Sequence, residues 1–361
     1  MPSSSSLRTP KHLSCISDVS DGVGSYLYYL FVLRGMYTSI TIILFVSLCF
    51  LSKYIPQLPH PNGKDSLFLD KDYTTIVKGI AIFMIMLGHM ACFWPGGRLL
   101  TPLGGTGVAI FLITSGYGLM ESYKRVGLKN FWKKRLLRVW IPYAIVCVLL
   151  CIFKGQSLLA LLKNLVLITS PFWFVQYIIA YYIILYIVLK FFEKYKACIF
   201  FFIAIISLFV LKGVQGEQTF SFLIGVLCSS YRDSLRLFFD RNPKRYALIG
   251  IPLFFLGALF LFIKQFPEVR DLSFICMNVV QTLIKLPFAM SIVLLVAYFT
   301  RMRSNPMLYL MGLISYELYL VHFPFWHCAD TTLWPSLLVI FLSIPISWAF
   351  YYFNNEVMRK I

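Results

Sequence analysis

Four groups of residues in this chain have the types and spacing that chemistry needs. The first is KGIAIFMIMLGHM, where Lys78 and His89 bracket ten residues that are all apolar or glycine. On a helix the two lie about 16 Å apart along the axis, at ~1.5 Å per residue. A titratable ring in such a run is either an interhelical hydrogen-bond partner or a general base. The second is SYELYLVHFPF, in which Glu317 precedes His322 by five residues. Ionisable groups at membrane depth are costly, and their default reading is functional. The plain alternative for Glu317 is a structural network with tyrosine or with Lys285. The third is WKKRLLR, whose Arg135 and Arg138 stand one helical turn apart. Two such guanidiniums fork onto phosphate oxygens, or else anchor the chain to lipid headgroups. The fourth is GGTGVAIFLITSG. No strand precedes its glycines, so it is no phosphate-binding loop. It reads as close helix packing, with Ser115 and Gly116 lining a cavity.

The elements that carry these groups follow from composition. Of 361 residues, 59% are hydrophobic and 13% charged, with mean hydropathy +0.77. Soluble chains average about 25% charged residues, so the solvent here is lipid. In lipid the backbone must satisfy itself, which makes the apolar runs helices. The expected fold is therefore all-α, a polytopic transmembrane helical bundle of about 10–11 spans. The runs fall at 25–52, 76–95, 104–121, 139–153, 172–190, 197–213, 218–230, 246–263, 273–299, 307–327 and 332–353. Lys285 and Pro287 interrupt the 273–299 run, which predicts a kink or a broken helix. A polar, Ser-rich tail over 1–24 is expected to be disordered and carries no signal-peptide core. Residues 25–71 form an extra membrane segment and loop, and 354–361 a cytoplasmic tail.

Charge orients the bundle. The 122–138 loop holds seven basic residues and no acid, so it faces the cytoplasm. Loops on that side carry 22 basic residues and the opposite loops six. The net charge of +18 thus belongs to membrane topology and not to nucleic-acid binding. One conflict stands: this parity sends the N-terminus outward despite Arg8, Lys11 and Arg34. Either the first run does not cross or its charges are outvoted. Nine cysteines lie mostly within apolar runs without CxxC spacing and read as small packing residues. The five histidines are scattered, so no metal site is expected, and His327 reads as interfacial.

In order along the chain, Lys-x10-His, GVAIFLITSGY, RLLR, PFWFVQY and SYELYLVHFP closely resemble the membrane-bound acyltransferase family 3. These are the polytopic O-acyltransferases of bacterial surface polysaccharides. The resemblance covers about residues 72–353. Each motif alone is weak; five in order with matching topology are specific. Leu112 stands where the family commonly has a second phenylalanine. The run before residue 72 has no counterpart in the simplest family pattern, and the chain leaves no room for the C-terminal esterase-like domain of some members.

The resemblance implies a multi-pass protein of the bacterial cytoplasmic membrane. It implies acyl-CoA, most simply acetyl-CoA, as a cytoplasmic co-substrate, with no bound cofactor. The acceptor would be a hydroxyl of a surface or lipid-linked polysaccharide on the other side. Lys78, Arg135 and Arg138 would hold the nucleotide phosphates. The pantetheine arm would then bring its thioester to His89, acting as general base or transient acyl acceptor. Glu317 would orient the imidazole as the third member of a hydrolase triad does. Ser115, Trp173, Tyr316 and His322 would line the substrate cavity. The competing class is a secondary transporter or flippase that uses His89 and Glu317, with Lys285, as a proton relay; a non-catalytic envelope scaffold is a third.

Overall fold

The computed structural model describes residues 23–55, 58–59, 61, 68–94, 100–299, 304–326 and 333–360. Residues 1–22 of the expected tail, and His327, lie outside the described residues. Among the described residues there are fourteen helices of five residues or more and no strand. Long helices are α1 (Val23–Leu51), α2 (Lys71–Ala91), α3 (Thr101–Val126), α4 (Phe131–Phe153), α6 (Trp173–Phe191), α10 (Lys244–Ile263), α11 (Phe274–Tyr298) and α14 (Leu333–Lys360). Shorter ones are α5 (Leu158–Leu165), α7 (Lys196–Val210), α8 (Ser221–Ser230), α9 (Arg232–Asp240), α12 (Pro306–Leu313) and α13 (Ser315–Trp326). Eight helices have the length and apolarity to cross a bilayer, and the bent pair α12–α13 makes up to nine.

Four of the expected runs differ in detail. The 307–327 run is two helices that meet at a 77° bend. The 273–299 run is neither broken nor divided: α11 continues through Pro287. The runs at 197–213 and 218–230 are helical, but α7 has 15 residues and α8 has 10, short of a full crossing. They run from the basic end of the bundle only to the level of Gly105, whose carbonyl accepts from Gln218 Nε2 at 2.8 Å. Counting them as one dip leaves every other loop on its assigned side.

The turn between α7 and α8 is irregular backbone at membrane depth, and side chains satisfy it. Asn278 Nδ2 donates to the carbonyls of Leu208 and Leu211, at 3.0 and 2.8 Å. Thr282 Oγ1 donates to Glu217 O at 3.2 Å. Tyr177 and Tyr181 hydroxyls donate to Gln215 O and Thr219 O, at 3.1 and 3.2 Å. Non-helical backbone is tolerated in a membrane only when it is buried in protein in this way.

Helix α2 is the centre of the bundle. Its most apolar stretch is 78% buried, against 17% for α10. Its neighbours α3 and α12 approach at backbone distance, and glycine makes that possible. A Cβ on Gly88 would lie 2.6 Å from the Gly104 nitrogen. At the other end of α2, Gly79 faces the Leu308 carbonyl and Gly312 faces that of Thr75. In α4 a wide π turn over Leu136–Trp140 has a clear cause. Pro142 cannot donate to the Arg138 carbonyl and its ring crowds it.

Gly225 on α8 meets Ile113 O and Tyr117 N on α3, whereas a Cβ on Gly118 would meet nothing within 4 Å. Gly225→Ala is therefore expected to destabilise by about 1–3 kcal/mol through overpacking. Gly118→Ala should leave the thermal midpoint in detergent unchanged or slightly raised. Equal midpoints for the two variants would contradict this packing.

Candidate active site

Two helices bring two imidazoles together. His89 stands near the end of α2 and His322 in the middle of α13. His89 Nδ1 lies 3.0 Å from His322 Nε2, with the rings 5.2 Å apart and inclined by 20°. His322 is fully buried, and its Nδ1 is 2.7 Å from the carbonyl of Leu318, one turn back. That carbonyl can only accept, so His322 carries its proton on Nδ1 and offers Nε2 as an acceptor. His89 must then donate from Nδ1, which leaves its lone pair on Nε2. The chain of contacts thus fixes the tautomers of both rings.

Glu317 is not the partner that sequence reasoning expected. Five residues before His322, it sits on another face of α13, and its Oε1 accepts from Asn354 Nδ2 at 3.4 Å. It lines none of the cavities below. Lys285 pairs with Glu217 on the turn before α8. His89, Glu317 and Lys285 thus have three different partners, and the relay of the competing transporter reading is not formed by direct contacts among them.

Three cavities lie in series along α2. The first, of about 640 Å³, is a vestibule at the basic end, lined by Lys78, Ser115, Glu121, Lys134, Arg135, Arg138 and others. The second, of about 150 Å³, shares Lys78, Ser115, Arg138 and Tyr182 with the vestibule and adds the apolar walls Phe111, Phe174 and Ile178. The third, of about 280 Å³, shares Ile85, Val108 and Tyr319 with the second and contains His89 and Trp173. Tyr316 lines the second cavity while its hydroxyl donates to Val139 O at 2.7 Å. His322 sits behind His89 and lines none of these cavities, so its expected place in the cavity wall is corrected to a place in the layer behind.

The vestibule is strongly cationic. Seven basic side chains line it against two carboxylates, Asp70 and Glu121. Both acids are already paired, Asp70 with Arg232 and Arg236, Glu121 with Arg232 and Lys124. Among the described residues no carboxylate pairs with Lys78, Arg135 or Arg138. Arg135 packs its guanidinium over Phe131 and Tyr182, at 5.4 and 5.6 Å, and its buried Nε has no partner. Fixed cations without counter-charges are what a phosphate group would occupy.

Sequence reasoning missed Glu217, Gln218 and Gln281, which line the third cavity. A signal existed. Asn278, Gln281, Thr282 and Lys285 fall at i, i+3, i+4 and i+7, a polar stripe on one face of α11. Glycine packing was legible, since Gly104 and Gly107 both abut α2 and Gly105 lies under the Lys285 stem.

An all-helical, multi-pass bundle with a buried imidazole pair above a cationic vestibule defines a class of membrane enzyme. The family model for an acyltransferase domain matches residues 71–352. The chain therefore belongs to membrane-bound acyltransferase family 3 and is a membrane acyltransferase; α1 precedes the matched region. No curated protein and no solved structure matches it.

The Glu217–Lys285 pair is almost wholly enclosed, with side chains 10% and 8% exposed. Lys285→Met alone should strand a buried carboxylate and cost about 3–5 kcal/mol, whereas Lys285→Met with Glu217→Gln should recover most of that. Thermal unfolding in detergent of both variants checks it. A double variant no better than the single one would contradict the pairing.

Proposed function

We propose that this protein transfers an acyl group, most simply acetyl, from cytoplasmic acyl-CoA to a hydroxyl of a surface or lipid-linked glycan. The donor enters the vestibule from the cytoplasmic side of the bacterial inner membrane. Its phosphates meet Lys78, Arg135 and Arg138, and its pantetheine arm threads the narrow second cavity. The thioester then arrives beside His89. The single observation that carries this reading is the run of three wall-sharing cavities from the unpaired cations to the imidazole.

In the transfer step His89 Nε2 takes the proton of the acceptor hydroxyl while that oxygen attacks the thioester carbonyl. The C–S bond breaks, and the CoA thiolate leaves with the proton returned from the imidazolium. His322 supports the cation through its acceptor Nε2, the role a carboxylate has in a hydrolase triad. The acceptor approaches from the opposite side through the third cavity. Lys78 and His89 are separated by about 16 Å of helix at ~1.5 Å per residue, an arm's length for pantetheine.

Labelled acetyl-CoA and purified protein in detergent test the reading through CoA release. His89→Ala should lower turnover at least about 100-fold, the low end for loss of a general base. Arg135→Ala and Arg138→Ala should each raise the KM for acetyl-CoA about 10-fold with kcat nearly kept, as lost charge-assisted bonds to phosphate do. His322→Ala should lower kcat and leave that KM alone. Turnover that survives His89→Ala sinks the catalytic assignment. Uptake of a solute by sealed vesicles without CoA release would favour a transporter.

A further inference from the structure

The third cavity carries information about the acceptor. Its polar lining comes mainly from α11, from the turn before α8 and from Lys264 at the end of α10, and several of these groups are held by partners within the protein. Lys285 and Glu217 hold each other. Gln218 donates to Gly105 O, and its Oε1 accepts from Ser221 at 3.2 Å. Gln281 differs from these. It lines the same cavity as His89, it is only 8% exposed, and its enclosed Oε1 has no hydrogen-bond partner among the described residues. A buried amide is not left unpaired without cost, and each such group in a folded protein asks for an explanation. On the α2–α3 side Gly88, Gly104 and Gly105 open space beside His89, Cys92 and Thr101. Trp173 supplies a broad aromatic face beside them.

An amide presents a donor and an acceptor side by side. A hydroxyl, which both donates and accepts, complements it; an apolar group leaves it stranded. The reacting hydroxyl is already committed to His89 Nε2. We infer that Gln281 reads a second hydroxyl of the acceptor, so that this enzyme selects polyhydroxylic rings over single alcohols. The inference rests on the acyltransfer reading above. Gln281 is a specificity residue in this scheme: it grips the acceptor and takes no part in proton transfer. Sites built to hydrogen-bond a substrate hydroxyl reject analogues that lack it far more strongly than apolar pockets discriminate by size.

The test uses full-length protein in detergent, labelled acetyl-CoA, and two kinds of acceptor probe. One kind is methyl glycosides of glucose, galactose and mannose; the other is cyclohexanol, a ring with one hydroxyl. Wild type should acetylate at least one glycoside with a KM at least 10-fold below that for cyclohexanol. Gln281→Leu should raise the glycoside KM about 10-fold or more, with kcat, the KM for acetyl-CoA and the cyclohexanol rate within twofold of wild type. Should that variant fail to fold, a monodeoxy series of the preferred glycoside on wild type reads the same contact. Removal of one hydroxyl other than the acetylated one should raise KM about 10-fold. Cyclohexanol used as well as every glycoside, a monodeoxy series with one common KM, or a folded Gln281→Leu with unchanged glycoside KM overturns the inference: the amide is then served by water. Absence of CoA release with every probe, water included, overturns the acyltransferase reading itself.

Discussion

The site depends on one hydrogen bond that cannot run the other way. The Leu318 carbonyl only accepts, so His322 must donate to it, and the direction passes through His322 to His89. Much of the bundle serves to bring those two rings within reach. His89 is on the central helix, and His322 is on the second half of a bent pair. The 77° bend between α12 and α13 lets the first half lie against the start of α2 while the second half meets its end. The glycines at 79 and 312 set the first of these contacts at backbone distance. A side chain there would push α12 away and carry α13 with it.

Charge is distributed to the same end. In a low-dielectric bundle an unpaired charge is expensive, and the carboxylates that line these cavities are paired. Glu217 neutralises Lys285 beside the imidazole. Asp70 and Glu121 are taken by Arg232, Arg236 and Lys124 at the edge of the vestibule. That arrangement leaves Lys78, Arg135 and Arg138 without carboxylates among the described residues, facing a wide, solvent-sized space. Their mutual repulsion is reduced by the aromatic rings of Phe131 and Tyr182 under Arg135. The vestibule is thus preorganised for an anion that the protein itself does not supply.

How much of this was legible in the chain depends on the range of the interaction. Helices, orientation and packing glycines follow from composition and spacing along one segment, and Lys78, Arg135 and Arg138 line one vestibule because each flanks an apolar run. His89 stood out because a ring in ten apolar or glycine residues has no local reason to be there. Its partner did not. His322 and Glu317 are both ionisable, five residues apart on one helix, and only the rotation of α13 against α2 decides which of them meets His89. The length of α7 and α8 was hidden for a similar reason. Their apolar runs continue into a turn whose carbonyls are capped by residues 30 to 70 positions distant. Gln281 belonged to a polar stripe at helical spacing, which an unbroken hydropathy profile conceals.

The turn at 211–220 also orders the birth of the protein. Tyr177 and Tyr181 precede it, but Asn278, Thr282 and Lys285 come more than sixty residues after the groups they meet there. While a ribosome is still translating α11, the membrane holds a carboxylate without its lysine and several carbonyls without donors. The α7–α8 hairpin therefore lacks its full set of partners until α11 inserts, and until then its turn carries the cost of unsatisfied polar groups in lipid.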